Sequence, residues 1–209
     1  MNRRPAREGR AGQPVMRMNS RQEGYTLLEL LFVVSLLTTL AGLAVPVASS
    51  TIDQLRAASA ARYIAGRIAA ARLEAIRRSS AVGLRFDPAD ADYSFAAFVD
   101  GNGNGLRSLD VTRGVDRPAG RAERLQEHFP DTAVGLLPGV PDIDGSTASS
   151  DGLRIGSTAF LSLAPDGTAT SGTVYVRSRR GQYAVRILGA TGRVRIFRFD
   201  MGARTWISR

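Results

Sequence analysis

Residues 24–46 read GYTLLELLFVVSLLTTLAGLAVP, and this stretch decides how the rest of the chain is understood. From Leu27 to Val45 there are 19 residues with a single charge, Glu29. At about 1.5 Å of rise per residue such a run nearly crosses a hydrocarbon layer of roughly 30 Å, so it is a candidate transmembrane helix. It is too long for the apolar core of a secretory signal peptide, and no small-x-small cleavage site follows it cleanly. Glu29 is the anomaly. A carboxylate buried without a partner in such a run costs several kcal/mol, so it asks for a cation. Cleavage after Gly24 would supply one, the new α-amino group of Tyr25, four residues upstream.

Working outward, residues 1–24 are polar and punctuated by Gly and Pro, with six Arg and two Glu. They read as a leader, with Met16 and Met18 as alternative starts beside Met1. Arginines before the run, with few charges just after it, place the N-terminus in the cytoplasm and the remainder across the membrane. The whole chain of 209 residues has 28 basic residues, all arginine, against 19 acids, a formal charge of +9. Much of that excess lies in the leader. There is no cysteine, which excludes disulfides, thiolate metal sites and a cysteine nucleophile. The single histidine, His128, argues against a histidine metal cage or a Ser-His-Asp triad. Glu123 and Glu127, four residues apart, read as a solvent-facing pair. No nucleophile elbow, phosphate loop or dinucleotide fingerprint occurs, so an enzyme is not expected.

Past Pro46 the pattern turns amphipathic. Ile64, Ile68, Ala71 and Ala75 recur at the spacing of one helix face, in an alanine-rich background that favours helix. The expectation is one helix from about residue 25 to 79, bent near Pro46, with 25–47 in the membrane and 48–79 as its amphipathic continuation. After Ser80 the period changes from 3.6 to 2. Candidate strands fall at 82–86, 93–99, 153–155, 159–163, 173–177, 183–188 and 193–199, separated by Gly, Pro and Asp turn signals. The fold class is therefore α+β: a long N-terminal helix packed on a C-terminal antiparallel sheet at 80–209. Residues 100–152 form an irregular insert with one short helical candidate at 121–129.

The N-terminal segment closely resembles the class III signal of type IV pilins and type II secretion pseudopilins. In that family Gly24 corresponds to the residue before the cut, Tyr25 to the first mature residue, Glu29 to the glutamate at mature position five and Pro46 to the helix-bending proline. Phe or Met is more usual than Tyr at the first mature position. The resemblance implies a prepilin peptidase that cuts after Gly24 and methylates Tyr25. It also implies a subunit held in the inner-membrane lipid until it joins other pilins in a periplasmic filament, where Glu29 pairs with a neighbour's Tyr25 ammonium. The C-terminal segment FLSLAPDGTATSG followed by TVYVRSRRGQYAVRILGATGRVRIF is similar to the closing half of the GspH/FimT pilins. Gly192, Arg193 and Val194 match that pattern, while Phe160, Pro165 and Gly167 are spaced somewhat longer than it. The implied function is a minor pseudopilin of type II secretion. The alternative is a FimT-like minor pilin that binds DNA during transformation.

Two further constellations carry possible chemistry. Asp100-Gly-Asn102-Gly-Asn104-Gly105 matches the first half of a calcium loop, although Val111 stands where its bidentate glutamate belongs. The same residues also suit a metal-free hairpin tip. The second is basic: Arg177, Arg179, Arg180, Arg186, Arg193, Arg195 and Arg198 crowd the last third. Arg193, Arg195 and Arg198 lie on one candidate strand as a possible phosphate-binding stripe, with Tyr175, Tyr183 and Trp206 as the sparse aromatics available for base stacking. A solvated or subunit-facing strand is the other reading of the same arginines.

Overall fold

A computed structural model describes residues 24–90, 92–146, 151–156 and 160–208, with backbone alone at 43–48. Residues 1–23 of the leader, including Met16 and Met18, and the side chain of Pro46 lie outside the described residues. The chain divides into two compact units, residues 1–43 and 44–209.

The first unit is the start of helix α1 (Leu27–Arg78), which continues through Pro46. Thr26 caps it: the Glu29 amide donates to Thr26 Oγ1 at 3.2 Å, and the Leu30 amide makes the first helical bond to the Thr26 carbonyl at 3.1 Å. Ser or Thr with Glu three residues on is the sequence signature of such a start. The hydroxyls inside the run are turned back on the helix. Ser35 donates to the Leu31 carbonyl at 2.8 Å and Thr39 to that of Ser35 at 2.8 Å, so neither needs water. The large apolar side chains from Leu27 to Leu40 are all exposed. Among the described residues no helix is long and apolar enough to cross a membrane; the run from Leu27 to Val45 ends among residues whose side chains are not described.

The second unit is built on the amphipathic part of α1. Ala57, Ala60, Ala61, Ile64, Ile68, Ala71 and Ala75 form a buried stripe, which contains all four positions read from the sequence. Alanine lets the helix axis come close to the strands, and the two isoleucines supply the bulk. The stripe packs on two antiparallel sheets. The first has the order β3 (Arg117–Pro118), β2 (Asp92–Val99), β1 (Val82–Ala89), β7 (Phe160–Leu163), with β4 (Glu123–Arg124) also on β2. The second runs β11 (Thr205–Ser208), β10 (Arg193–Asp200), β9 (Gln182–Leu188), β8 (Gly172–Arg177), β5 (Ala133–Val134), with β6 (Leu153–Ile155) also on β8. Leu84 and Phe86 from one sheet and Val174, Val176, Val185 and Ile187 from the other meet the helix in one core.

The α+β fold of a helix on antiparallel β-structure is as expected, with the strands divided between two sheets. Two expectations need correction. Alternation in the closing strands predicts one solvated face, yet a second core of Leu136, Val140, Tyr175, Ala184 and Phe199 covers part of the outer face of the second sheet. The insert supplies that cover, which is why β8 and β9 are buried nearly throughout instead of alternately. Residues 121–129 do not form one helix. Glu123 and Arg124 pair with Phe95 and Ser94 of β2, and only α3 (Leu125–His128) is helical before Phe129 turns extended ahead of Pro130. Helix α2 (Ser108–Thr112) and strands β3, β4, β5 and β11 are additions to the elements expected from the sequence.

Ile68→Ala removes bulk from the centre of this stripe with no room for the strands to follow. It is expected to cost about 2–5 kcal/mol, at about 2–4 °C of Tm per kcal/mol for a domain of this size. Leu73→Ala, on the exposed face of the same helix, is expected to stay within about 0.5 kcal/mol. Thermal unfolding of the two variants checks the pair.

Candidate assembly segment and basic strand

The helix start places Tyr25 and Glu29 in the open. Tyr25 is exposed beside Gly24, and the Glu29 carboxylate has no cation within ion-pair distance among the described residues. Thr26 Oγ1 accepts the Glu29 backbone amide, while the exposed Glu29 carboxylate has no hydrogen-bond partner among the described residues.

The arginines of the last third divide into different settings. Strand period two puts Arg193 and Arg195 on one face of β10 and Arg198 on the other. Arg193 and Arg195 are exposed, with no carboxylate within ion-pair distance among the described residues. Arg198 instead turns toward the helix, beside Arg62, Leu55 and Ile196, with Asp200 Oδ2 at 3.5 Å. The three therefore do not form one stripe. Arg179 pairs with Asp131 at 2.9 Å and Arg186 with Asp144 at 2.7 Å. The aromatics expected for stacking are consumed by packing. Tyr175 and Tyr183 are buried; Trp206 packs edge-on against Phe199 and donates its indole N–H to the Pro141 carbonyl at 3.2 Å.

Gly192, which opens β10, has two independent reasons to be glycine. Its φ is +58°, and a Cβ there would stand 2.5 Å from the Gly167 carbonyl oxygen. Its own carbonyl accepts from Arg72 of α1 at 3.4 Å. At the other end of β9 the buried Asp53 of α1 receives the Ser178 hydroxyl at 2.9 Å and the Arg180 amide at 2.7 Å. The basic hairpin is thus held by a helix carboxylate.

The glycine-rich loop is closed by its own amides. Asp100 Oδ1 accepts from the amides of Asn102 and Gly103 at 3.0 and 2.8 Å, and Oδ2 from that of Gly105 at 2.7 Å. Asn104 turns its amide nitrogen toward Asp110 at 3.0 Å. Asp116, almost wholly buried, accepts from the amides of Gly101 and Arg107 at 3.1 and 3.0 Å. Both Asp100 oxygens thus accept backbone amides, Asn104 is bonded to Asp110, and Val111 stands at the twelfth position where a calcium loop has its bidentate acid. Among the described residues no group of three acidic or histidine side chains could hold a metal.

The acidic pair of the insert is also split. Glu123 lies largely buried against α1, 2.8 Å from Arg67 Nε and 3.0 Å from His128 Nε2, and accepts the Tyr63 hydroxyl. Burial, and then that hydrogen bond to Glu123, pushes the Tyr63 phenol above its ordinary range. Glu127 faces outward and pairs with Arg121 at 3.1 Å. No local pattern marks Glu123 as the anchor of the insert, because its partners on the helix are some sixty residues away.

The sequence profile of the family described as type II transport protein GspH matches residues 60–192. The chain belongs to the GspH family. A second profile, the prokaryotic N-terminal methylation motif, matches residues 19–45. Together they make it a minor pilin or pseudopilin, with the methylation motif on the capped helix start and the GspH match running from the buried stripe of α1 to Gly192. The chain is also similar to the pilin-like protein PilA1 of Thermus thermophilus. The two are 45% identical over 83 residues, covering 40% of this chain and 51% of that protein. The chain thus spans about half the length of that curated relative. No solved structure matches. In this GspH-family chain, strands β10 and β11 lie beyond the family match.

Asp100→Ala would leave three loop amides without their acceptor and is expected to cost about 1–3 kcal/mol. Millimolar calcium is expected to leave the Tm of the unaltered chain unchanged. Differential scanning calorimetry with and without the ion reads both outcomes.

Proposed function

We propose that this GspH-family chain is a minor pseudopilin of a type II secretion system. It is inserted in the inner membrane by residues 25–47, cut after Gly24, methylated on Tyr25 and built into a periplasmic filament. The observation that carries this reading is the methylation-motif match lying on a helix start whose apolar run holds one carboxylate, directly continuous with a GspH domain. The physical account is simple. An apolar helix exposed on all sides is stable only against lipid or other such helices. Cleavage gives the neighbouring subunit's Tyr25 an ammonium, which methylation leaves charged. Pairing it with Glu29 in a low-dielectric bundle fixes register more than it adds stability. The hydroxyls of Ser35, Thr38 and Thr39, bonded within their own helix, bring no unsatisfied donor into that bundle.

Glu29→Ala is expected to leave cleavage after Gly24 intact while abolishing incorporation into the filament. Mass spectrometry of the N-terminus reads the first, and sheared-filament blots read the second. Wild-type incorporation of the variant would overturn the role given to Glu29.

A second reading, a FimT-like pilin that binds DNA for uptake, is favoured by one observation: the exposure of Arg193 and Arg195 without acidic partners among the described residues. Two arginines release about two counterions. Binding to duplex DNA would then show a log–log salt slope near −2 or so, on the order of one per arginine, and vanish in the Arg193→Gln, Arg195→Gln variant. Filter binding across a salt series checks it.

A further inference from the structure

Strand β10 is eight residues long, but its outer neighbour β11 covers only half of it. Phe197–Asp200 pair with Thr205–Ser208, whereas residues 193–196 are paired to β9 on one side and, among the described residues, to nothing on the other. In such an antiparallel edge alternate residues turn both N–H and C=O outward, a ready template for another strand. The gap is four residues, about 14 Å at strand rise. An open groove of about 520 Å³ runs along it, lined by Arg193, Val194, Arg195, Ile196 and Ser208.

The two faces of this edge differ. On the outer face Arg195 stands directly opposite Arg186 of β9, a like-charge cross-strand pair that disfavours the sheet. Arg186 has its acid in Asp144 at 2.7 Å; Arg195 and Arg193 have none within ion-pair distance among the described residues. On the inner face Val194 and Ile196 are only half-buried at the margin of the helix core. There a second cavity of about 470 Å³ opens between β10 and α1, where Ile196 and Arg198 face the exposed Leu55 and Arg62 and the buried Ala58. Each face therefore lacks something specific: carboxylates outside, apolar side chains inside.

We propose that residues 193–196 of β10 form a strand-addition site for an extended segment of another protein chain, with acidic residues at alternate positions against Arg193 and Arg195 and apolar residues between them entering the groove beside Ile196 and Leu55. Backbone hydrogen bonds give such a site its affinity, and the alternating side chains give it register. A second copy of this edge is the wrong occupant, since it would set arginine against arginine. Duplex DNA can meet the two arginines but has no strand to add and nothing for the apolar face. The site goes beyond the secretion reading and does not depend on which filament the subunit joins.

The test uses the full chain in dodecyl maltoside and a labelled heptapeptide of alternating valine and aspartate. Three controls accompany it: the same composition in block order, the alternating peptide with every second amide N-methylated, and a short DNA duplex. The expected result is micromolar binding of the alternating peptide by fluorescence anisotropy, at least tenfold weaker for both peptide controls, with slowed hydrogen exchange at residues 193–196. Arg193→Glu, Arg195→Glu should lose that peptide by at least tenfold and gain an alternating valine–lysine one, which keeps a merely misfolded variant from passing as support. The proposal is overturned if the N-methylated or block peptide binds as well as the alternating one, or if no peptide binds at millimolar concentration. Unchanged exchange at 193–196, failure of the charge-swapped pair to bind, or displacement of the peptide by DNA of equal or higher affinity would overturn it as well.

Discussion

Everything in the folded unit depends on how closely one helix approaches two sheets. The alanines at 57, 60, 61, 71 and 75 have no bulk to hold the strands away, and Ile64 and Ile68 fill the middle of the contact. Polar clamps mark its two ends. Asp53 takes the hydroxyl and amides of the hairpin before β9, and Arg72 reaches the Gly192 carbonyl after it. The helix between the clamps is about 28 Å long at helical rise, while β9 spans about 24 Å. Helix and strand are matched in length, so the second sheet is held against α1 at both ends of its central strand. In the first unit the large apolar side chains from Leu27 to Leu40 are exposed. Its leucines, valines and phenylalanine are left for lipid or for other helices.

The insert at 100–152 stabilises this arrangement from outside. Its backbone is tied down by single buried side chains. Gln182, fully buried, accepts from the Leu137 amide and donates to the Gly135 and Val176 carbonyls. Asp92 accepts from the Val134 amide at 2.7 Å, and Tyr175 from that of Ile143 at 3.0 Å. Burial raises the Tyr175 phenol above its ordinary range despite that amide bond. A segment with little regular structure is thereby fixed residue by residue, at the positions where its own amides would otherwise be stranded.

What repeats, or is local, was legible in the sequence. The i, i+4, i+7, i+11 spacing of Ile64, Ile68, Ala71 and Ala75 identifies the buried helix face, because periodicity follows directly from helix geometry. The strand at 153–155 matches its reading to the residue, and the other candidates reappear with ends moved by one to three positions. What stayed hidden depends on distant partners. The alternation of β10 reads as arginine on one side and apolar residues on the other, but the residue types change over at Phe197. Arg193 and Arg195 share a face with Phe197 and Phe199, while Arg198 lies with Val194 and Ile196. Whether Phe197 meets solvent or a second core depends on Leu136 and Val140, far upstream in the insert, and no local pattern contains that. The loop at Asp100 shows the same limit. Asp, Asn and Gly at those spacings suit a cation and a self-capped turn equally well, and only the fold shows that the loop amides turn onto Asp100.

The distribution of charge on β10 bears on how a minor subunit differs from a repeating one. Arg179, Arg186 and Arg198 have acids of their own chain within reach. Arg193 and Arg195 lie where the sheet is half finished, beyond the family match that ends at Gly192. A charge without an acid on an edge without a strand resists self-association, since another copy brings the same charge to the same place. It leaves the edge open to a chain of opposite charge. Under the strand-addition proposal such an edge would join unlike subunits and exclude like ones. The apolar helix with its single Glu29 supplies no such discrimination, because any helix of the same kind offers it the same apolar surface.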